Sequence, residues 1–269
     1  MRGSQTDGPE AVTRNQMFAT ATPPRRLPRV LVLTDNRFLW EQFLGIVDSE
    51  KVEAEFTCRF SPMNVPFQME FAGRSDFAAL CVKSEWQRVV AEFELVFSLH
   101  CKQLFPAALV RAVRCINVHP GLNPHNRGWF PQVFSILNKL PLGATIHEMD
   151  EQLDHGPVID QEEVPVHSWD TSLSAYNRVM EAELRLIRKN LNTIIRGDYV
   201  ARPPAGEGNV NLQADFRRLC ELDPGERATL GALMDRLRAL THGDHRNAYF
   251  VDGTGRKVFV RVDLQPETE

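Results

Sequence analysis

Residues 30–47 read VLVLTDNRFLWEQFLGIV. VLVLT (30–34) is a continuous apolar run that stops at Asp35-Asn36, the pattern of a strand buried on both faces of a parallel sheet. Phe38, Phe43, Leu44 and Val47 then fall near helical spacing, which predicts a helix straight after the strand. The alternation continues downstream. EFTCRF (55–60) and ELVFSL (94–99) read as further strands, the second followed by a short helix after Pro106. RCINVH (114–119) reads as a fourth, with a loop and then a helix over about 130–138. Strands that alternate with helices need right-handed crossovers, which predicts an α/β fold: a Rossmann-like, mostly parallel sheet with helices on both faces.

The pattern changes after residue 142. GATIHEM (143–149) and VIDQEEVPV (158–166) look like strands joined through the polar loop DEQLDHGP. Leu173, Tyr176, Val179, Met180, Leu184, Ile187, Leu191, Ile194 and Ile195 recur three or four apart, which predicts one long amphipathic helix capped by Asp170 or Thr171. From Tyr199 the chain reads as an appendage: a loop, a helix over 230–240, and two strands around Gly253-Thr254-Gly255. The organisation expected is therefore a disordered leader or tag over 1–29, a main domain over 30–198, and a small C-terminal unit over 199–269.

Composition narrows the function. Hydrophobic types make up 43% of the 269 residues and charged types 25%, an ordinary globular balance that excludes global disorder. A net charge of −4 lacks the broad positive field of a nucleic-acid binder. With no run of about 18 apolar residues, no membrane span is expected. Cys58, Cys81, Cys101, Cys115 and Cys220 show no C-x-x-C spacing and have apolar flanks, which suits free thiols in the cytoplasm better than disulfides or a zinc ribbon.

Dinucleotide, Walker A and G-x-S-x-G signatures are missing from the sequence. His147-Glu148 opens like a zincin motif, but position 151 is Glu, and His242 and His245 have no Cys or carboxylate partners at ligand spacing. No metal site is expected. What remains is INVHPGLNPHNRGWF (116–130), where Asn117 and His119 lie two apart near a strand end, hence on one side of it. Such strand ends are where parallel sheets bind ligands. Asp154, in the loop before His155-Gly156-Pro157, is the natural carboxylate to orient His119, while Asn117 offers a donor to a developing oxyanion. Asn, His and Asp without a nucleophilic Ser or Cys suit acyl transfer to an external amine. Two alternatives stay open on spacing alone: a surface turn with a loop-capping Asp154, and a thiol nucleophile from Cys115 or Cys101 beside His119.

NVHPGLNPHNRG and GATIHEMDEQLDHGP resemble the two signature segments of the N10-formyltetrahydrofolate-dependent formyltransferases. The family's usual first motif, Asn-x-His-Pro-Ser-Leu-Leu-Pro-x-x-Arg-Gly, is departed from at Gly121 and Asn123. Those departures, with FSLHCKQLFP and LRALTHGDHRNAYF, are similar to the sugar N-formyltransferases that act on dTDP-4-amino-4,6-dideoxyglucose. The resemblance spans about residues 30–264. It implies Asn117, His119 and Asp154 as the catalytic residues, with His119 as general base. For the formyl donor, N10-formyltetrahydrofolate, it points to Ser98, His100, Lys102, Gln103, Thr145, His147 and Asp150. For the dTDP-linked aminosugar it points to Lys102, Asn123, Arg127, Trp129 and Gln132. It implies a homodimer, no metal, and no nucleic-acid or membrane partner. The rival readings are a dTDP-3-amino-3,6-dideoxyhexose formyltransferase, a methionyl-tRNA formyltransferase, and a catalytically silent sugar-nucleotide binder. The trio is expected to converge within hydrogen-bond reach beside an open cleft.

Overall fold

A computed structural model describes residues 26–267, so the expectation of a disordered leader falls almost wholly, over residues 1–25, outside the described residues. The chain begins with β1 (Arg29–Thr34), α1 (Arg37–Ser49), β2 (Glu55–Phe60), α2 (Val65–Glu70), β3 (Phe77–Ala79) and α3 (Val82–Glu92). It continues through β4 (Leu95–Leu99), α4 (Ala107–Ala112), β5 (Arg114–His119), the two-residue β6 (Arg127–Gly128) and α5 (Pro131–Asn138). Next come β7 (Leu142–Glu148), β8 (Val158–Val164) and the long α6 (Ser172–Arg196). The last part holds β9 (Val210–Asn211), α7 (Gln213–Cys220), α8 (Leu230–Leu240), β10 (Tyr249–Val251) and β11 (Lys257–Phe259).

Seven strands make the main sheet in the order β3-β2-β1-β4-β5-β7-β8. The five from β3 to β5 run parallel, and β7 and β8 pair antiparallel at one edge. β1 shows why the apolar run was needed. Val30 and Val32 pack into one core layer, Leu31 and Leu33 into the other, and all four are fully buried. Each such side chain contributes about 1.5–3 kcal/mol on burial. On the first face α1 and α6 cover the sheet; on the second, Val82 and Val89 of α3 and Leu109 of α4 pack with Cys115 of β5.

Thr171 caps α6 through Ser174 N–H, with the Ser174 hydroxyl accepting from Thr171 N–H in return, and Gly197 closes the helix with a left-handed φ of 76°. The adjacent Asp170 carboxylate instead accepts from His167 N–H, the Ser174 hydroxyl and Arg178. β3 and α2 are too short for a period to show, whereas α3 and α7 were missed although Val82, Trp86, Val89 and Val90, and Phe216, Leu219 and Cys220, lie at helical spacing. The segment read as a loop after Tyr199 contains β9, which pairs in parallel with β6 inside the loop that follows β5. Pairing with so distant a partner leaves no local periodicity to read. None of the described helices is long and apolar enough to cross a membrane.

Candidate active site

Strand register gathers the site. Asn117 lies opposite Ser98 on one side and His147 on the other, and His119 lies opposite Thr145, which in turn faces Gln161. Residues paired across a sheet share a face, so these side chains emerge together near the C-terminal end of β5. Asp154 reaches them from the loop between β7 and β8, held in a left-handed conformation with φ of 47°. Two residues on, Gly156 runs so close to Glu148 O that a Cβ there would collide with it.

The trio converges. Asn117 Nδ2 donates to Asp154 Oδ1 at 3.1 Å, Gly128 N–H donates to Oδ2 at 3.0 Å, and His119 Nδ1 lies 3.4 Å from that same oxygen. A carboxylate only accepts, so the His119 proton belongs on Nδ1 and Nε2 keeps its lone pair. Likewise His147 Nδ1 faces the Glu148 carbonyl at 2.7 Å, which makes that nitrogen the donor. His147 Nε2 is then an acceptor, 3.3 Å from Asn117 Nδ2. Both amide hydrogens of Asn117 are therefore engaged, one by Asp154 and one, more loosely, by His147. The trio is largely buried, with Asn117 9% and His119 3% exposed.

Burial sets the protonation states. It pulls the His119 imidazole down to about 4 against the opposing pull of Asp154. Burial also works to raise Asp154, but His119, His147 and the Gly128 N–H outweigh it and hold the carboxyl at about 2. The pair is thus a neutral imidazole beside a carboxylate at neutral pH. The thiol alternative fares badly, because burial drives Cys115 up to about 12 and Cys101 up to about 11. All five cysteines are free.

Other residues singled out in the sequence are spread around this centre. Ser98 is buried on β4. His100 has both ring nitrogens engaged, Nε2 with Glu183 at 2.8 Å and Nδ1 with the Tyr176 hydroxyl at 3.0 Å. Gln103 accepts from Val82 N–H and donates to Leu80 O. The Thr145 hydroxyl is saturated: it donates to Gly121 O at 2.7 Å and accepts from Asn123 N–H and Gln161 Nε2. Asp150 accepts from Gln152 N–H and contacts His155. Only Lys102 presents an exposed side chain, its main-chain N–H donating to Asp35.

On the other side, the Arg127 guanidinium holds the carbonyls of Leu153 and Glu207, and Gln132 Nε2 donates to the Ser172 hydroxyl. Ser172 Oγ also lies 3.1 Å from His242 Nδ1, and no group of three or more metal-ligating side chains occurs among the described residues. Trp129 is half-buried against Phe130, its main-chain N–H donating to Asn211 O. Gln161 and the 207–211 strap were missed in the sequence. Their only local signal is the Asn-Val-Asn run at 209–211, where Asn209 Oδ1 accepts from Asn126 N–H.

Comparison with known proteins gives the chain's family. Residues 67–191 match the formyl transferase family model, and residues 215–266 the N-formyltransferase dimerization C-terminal domain. The dTDP-4-amino-4,6-dideoxyglucose formyltransferase of Mycobacterium tuberculosis is 48% identical over 238 residues, 88% of this chain and 97% of the relative. The chain belongs to the formyl transferase family. A solved 4-N formyltransferase from Francisella tularensis is 42% identical with a TM-score of 0.85, over 89% of this chain and 99% of that one. For comparison, a methionyl-tRNA formyltransferase from Geobacillus thermodenitrificans is 30% identical over 54% of this chain and 46% of the relative. The protein is thus a formyltransferase by family, and Asn117, His119 and Asp154 all lie within the matched residues 67–191.

Proposed function

We propose that this formyltransferase moves a formyl group from N10-formyltetrahydrofolate to the 4-amine of dTDP-4-amino-4,6-dideoxyglucose, giving a formamido sugar for surface polysaccharide synthesis. The observation that carries this reading is His119 Nε2, a bare acceptor with no hydrogen-bond partner among the described residues, backed by the Asp154 carboxylate. A neutral imidazole so placed is a general base for an amine. The set of neutral and anionic N and O groups around it suits a carbonyl donor and an amine acceptor.

The donor supplies an activated formyl carbon attached to a nitrogen leaving group. His119 Nε2 takes a proton from the amine as its lone pair bonds to that carbon and the carbonyl electron pair moves onto oxygen. Asp154 keeps Nδ1–H in place and offsets the imidazolium charge. Asn117 reaches the oxyanion by exchanging its looser, 3.3 Å contact with His147 while keeping the 3.1 Å bond to Asp154. His119 then returns the proton to the departing nitrogen as the carbonyl re-forms and the old carbon–nitrogen bond breaks.

The same reading assigns residues 30–198 to catalysis and residues 199–269 to a homodimer contact in the cytoplasm. Exposed apolar side chains on the last elements, Leu230, Leu233, Val251, Val258 and Phe259, support a dimer surface there, alongside the matched dimerization domain. A tRNA acceptor is disfavoured by the net charge of −4.

The test mixes purified protein with N10-formyltetrahydrofolate and dTDP-4-amino-4,6-dideoxyglucose and follows the nucleotide sugar by mass spectrometry. Gain of one formyl group, lost in His119→Ala, is the expected result. Product from the 3-amino isomer alone moves the substrate and keeps the mechanism. Saturable nucleotide binding without product from any aminosugar nucleotide sinks the enzyme reading.

A further inference from the structure

The main-chain N–H of Gly128 donates to Asp154 Oδ2 at 3.0 Å, the oxygen that lies 3.4 Å from His119 Nδ1. The groups that aim this N–H come from far along the chain. On either side of Gly128, Arg127 N–H donates to Asn209 O at 3.0 Å and Trp129 N–H donates to Asn211 O at 2.8 Å. Successive N–H groups of an extended segment point to opposite sides. Tying residues 127 and 129 to β9 therefore leaves the Gly128 N–H facing away from β9, where Asp154 sits. The two segments press together closely, since a Cβ on Gly128 would lie 2.5 Å from Asn211 O.

The strap itself is anchored on the same loop. Asn209 clasps the fully buried Asn126 at two points: Oδ1 accepts from Asn126 N–H at 2.9 Å, and Nδ2 donates to Asn126 Oδ1 at 2.8 Å. Gly208, at a φ of 62°, runs so near the loop that a Cβ would lie 1.8 Å from Pro124 O. Residues 207–211 fall between the two matched stretches, 67–191 and 215–266, and belong to neither. They lead straight into α7, whose Phe216 ring centre lies 4.2 Å from that of Phe130.

We infer that the strap over residues 207–211 is a positioning element of the reaction, with Asn209 as its positioning residue: by holding the N–H groups that flank Gly128 it aims the one between them at Asp154 and so fixes the carboxylate against His119. The inference rests on the catalytic reading of His119 and Asp154. It goes beyond that reading by assigning part of the C-terminal appendage to the active site. A carboxylate that loses this donor is free to turn, and the imidazole it orients turns with it. Misplacement of a reacting group by about 1 Å is enough to cost ~10²-fold in rate.

The experiment measures steady-state kinetics of wild type, Asn209→Ala, Asp154→Asn and the double variant, with amide hydrogen exchange at Gly128 followed by NMR. Asn209→Ala removes both side-chain bonds to Asn126 and touches no reacting group. It is expected to lower kcat about 10–100-fold with KM for both substrates within about twofold of wild type. Exchange at Gly128 is expected to speed up at least ~10-fold. In the Asp154→Asn background the same change is expected to cost less than about threefold further, because groups that act as a unit are not additive. A strap that only stabilised the fold would lower the melting temperature and leave kcat of the folded protein unchanged. Gly208→Ala keeps every polar side chain but pushes the strap off Pro124, and it is expected to reproduce the kcat loss.

A folded variant with unchanged kcat overturns the inference. So does a full multiplicative loss in the double variant, which would put the action of the strap somewhere other than Asp154. So does fast exchange at Gly128 in wild type, a measurement that stands even if neither variant folds. Turnover retained in His119→Ala, or absent from wild type, sinks the catalytic reading and this inference with it. Turnover lost in His119→Ala but intact in Asn209→Ala sinks the inference alone.

Discussion

The adjacent parallel strands β4 and β5 end at the same end of the sheet, and both exits carry polar side chains: His100, Lys102 and Gln103 after β4, and His119, Asn123, His125 and Asn126 at and after the end of β5. At the first, the loop's own His100 and Gln103 have their polar side-chain atoms partnered, although Glu183 of α6, which His100 contacts, keeps Oε2 bare. His100 joins Glu183 to Tyr176, whose hydroxyl also accepts from Asn36, and Gln103 bridges Val82 to Leu80. At the second, His119 at the end of β5 and Asn123 in the loop that follows are each held by neighbouring groups and each keeps one acceptor bare. Residue type therefore does not distinguish scaffold from chemistry here. The unpaired atom does, because leaving it buried and unmatched is costly unless a ligand completes it.

The largest effect expected from breaking this contrast comes from His119→Ala. Removing a general base is worth ~10²–10⁴-fold in kcat, with the melting temperature little changed. Retained turnover would move the base elsewhere. Gly121→Ala comes next. A Cβ there would lie 2.5 Å from His119 Nε2 and 2.8 Å from Cδ2. The free end of the ring can swing aside, so stability should hold while kcat drops about 100-fold through misplacement of the base. Equal activity in the two proteins would show that the ring position is not critical.

A third effect is electrostatic. Since folding lowers the His119 pKa to about 4, its NMR titration should be silent through the ordinary imidazole range near 6.5 and move only near 4. The unfolded chain binds that proton first, so its contribution to stability is present above about 6.5 and is lost as pH falls toward 4. A midpoint near 6.5 would contradict the burial argument. The smallest effect on catalysis belongs to the first loop. His100→Ala strands the fully buried Glu183 and should cost about 3 kcal/mol in chemical denaturation, with kcat of the folded protein close to wild type. A large kcat loss without a stability loss would erase the contrast between the loops.

Much of the site was legible before the fold. Asn117 and His119 are two apart on a strand, so they had to share a face, whereas Asp154, in a loop between two strands, could on sequence alone either orient His119 or cap its own loop. His147 and Thr145 were legible as polar residues, but not their partners. Resemblance assigns them to the folate, and the structure adds that His147 Nε2 lies against Asn117 and that the Thr145 hydroxyl bonds to the loop after β5. The resemblance to a formyltransferase came from paired motifs, and the match over most of the chain agrees with it.

Backbone geometry repeats over two residues in a strand and under four in a helix, so the sequence by itself determined the alternating elements, the buried β1 and the facing pair on β5. Tertiary structure alone decided which strands lie side by side, and so which polar groups meet. Register set Asn117 against His147 and the His119–Thr145–Gln161 row, while the strap at β9 closed over β6. A hydrogen bond needs its partner within about 3 Å, and that partner can lie anywhere along the chain. Which atoms stay unpaired at His119 and Asn123 therefore becomes readable only once every other bond is in place.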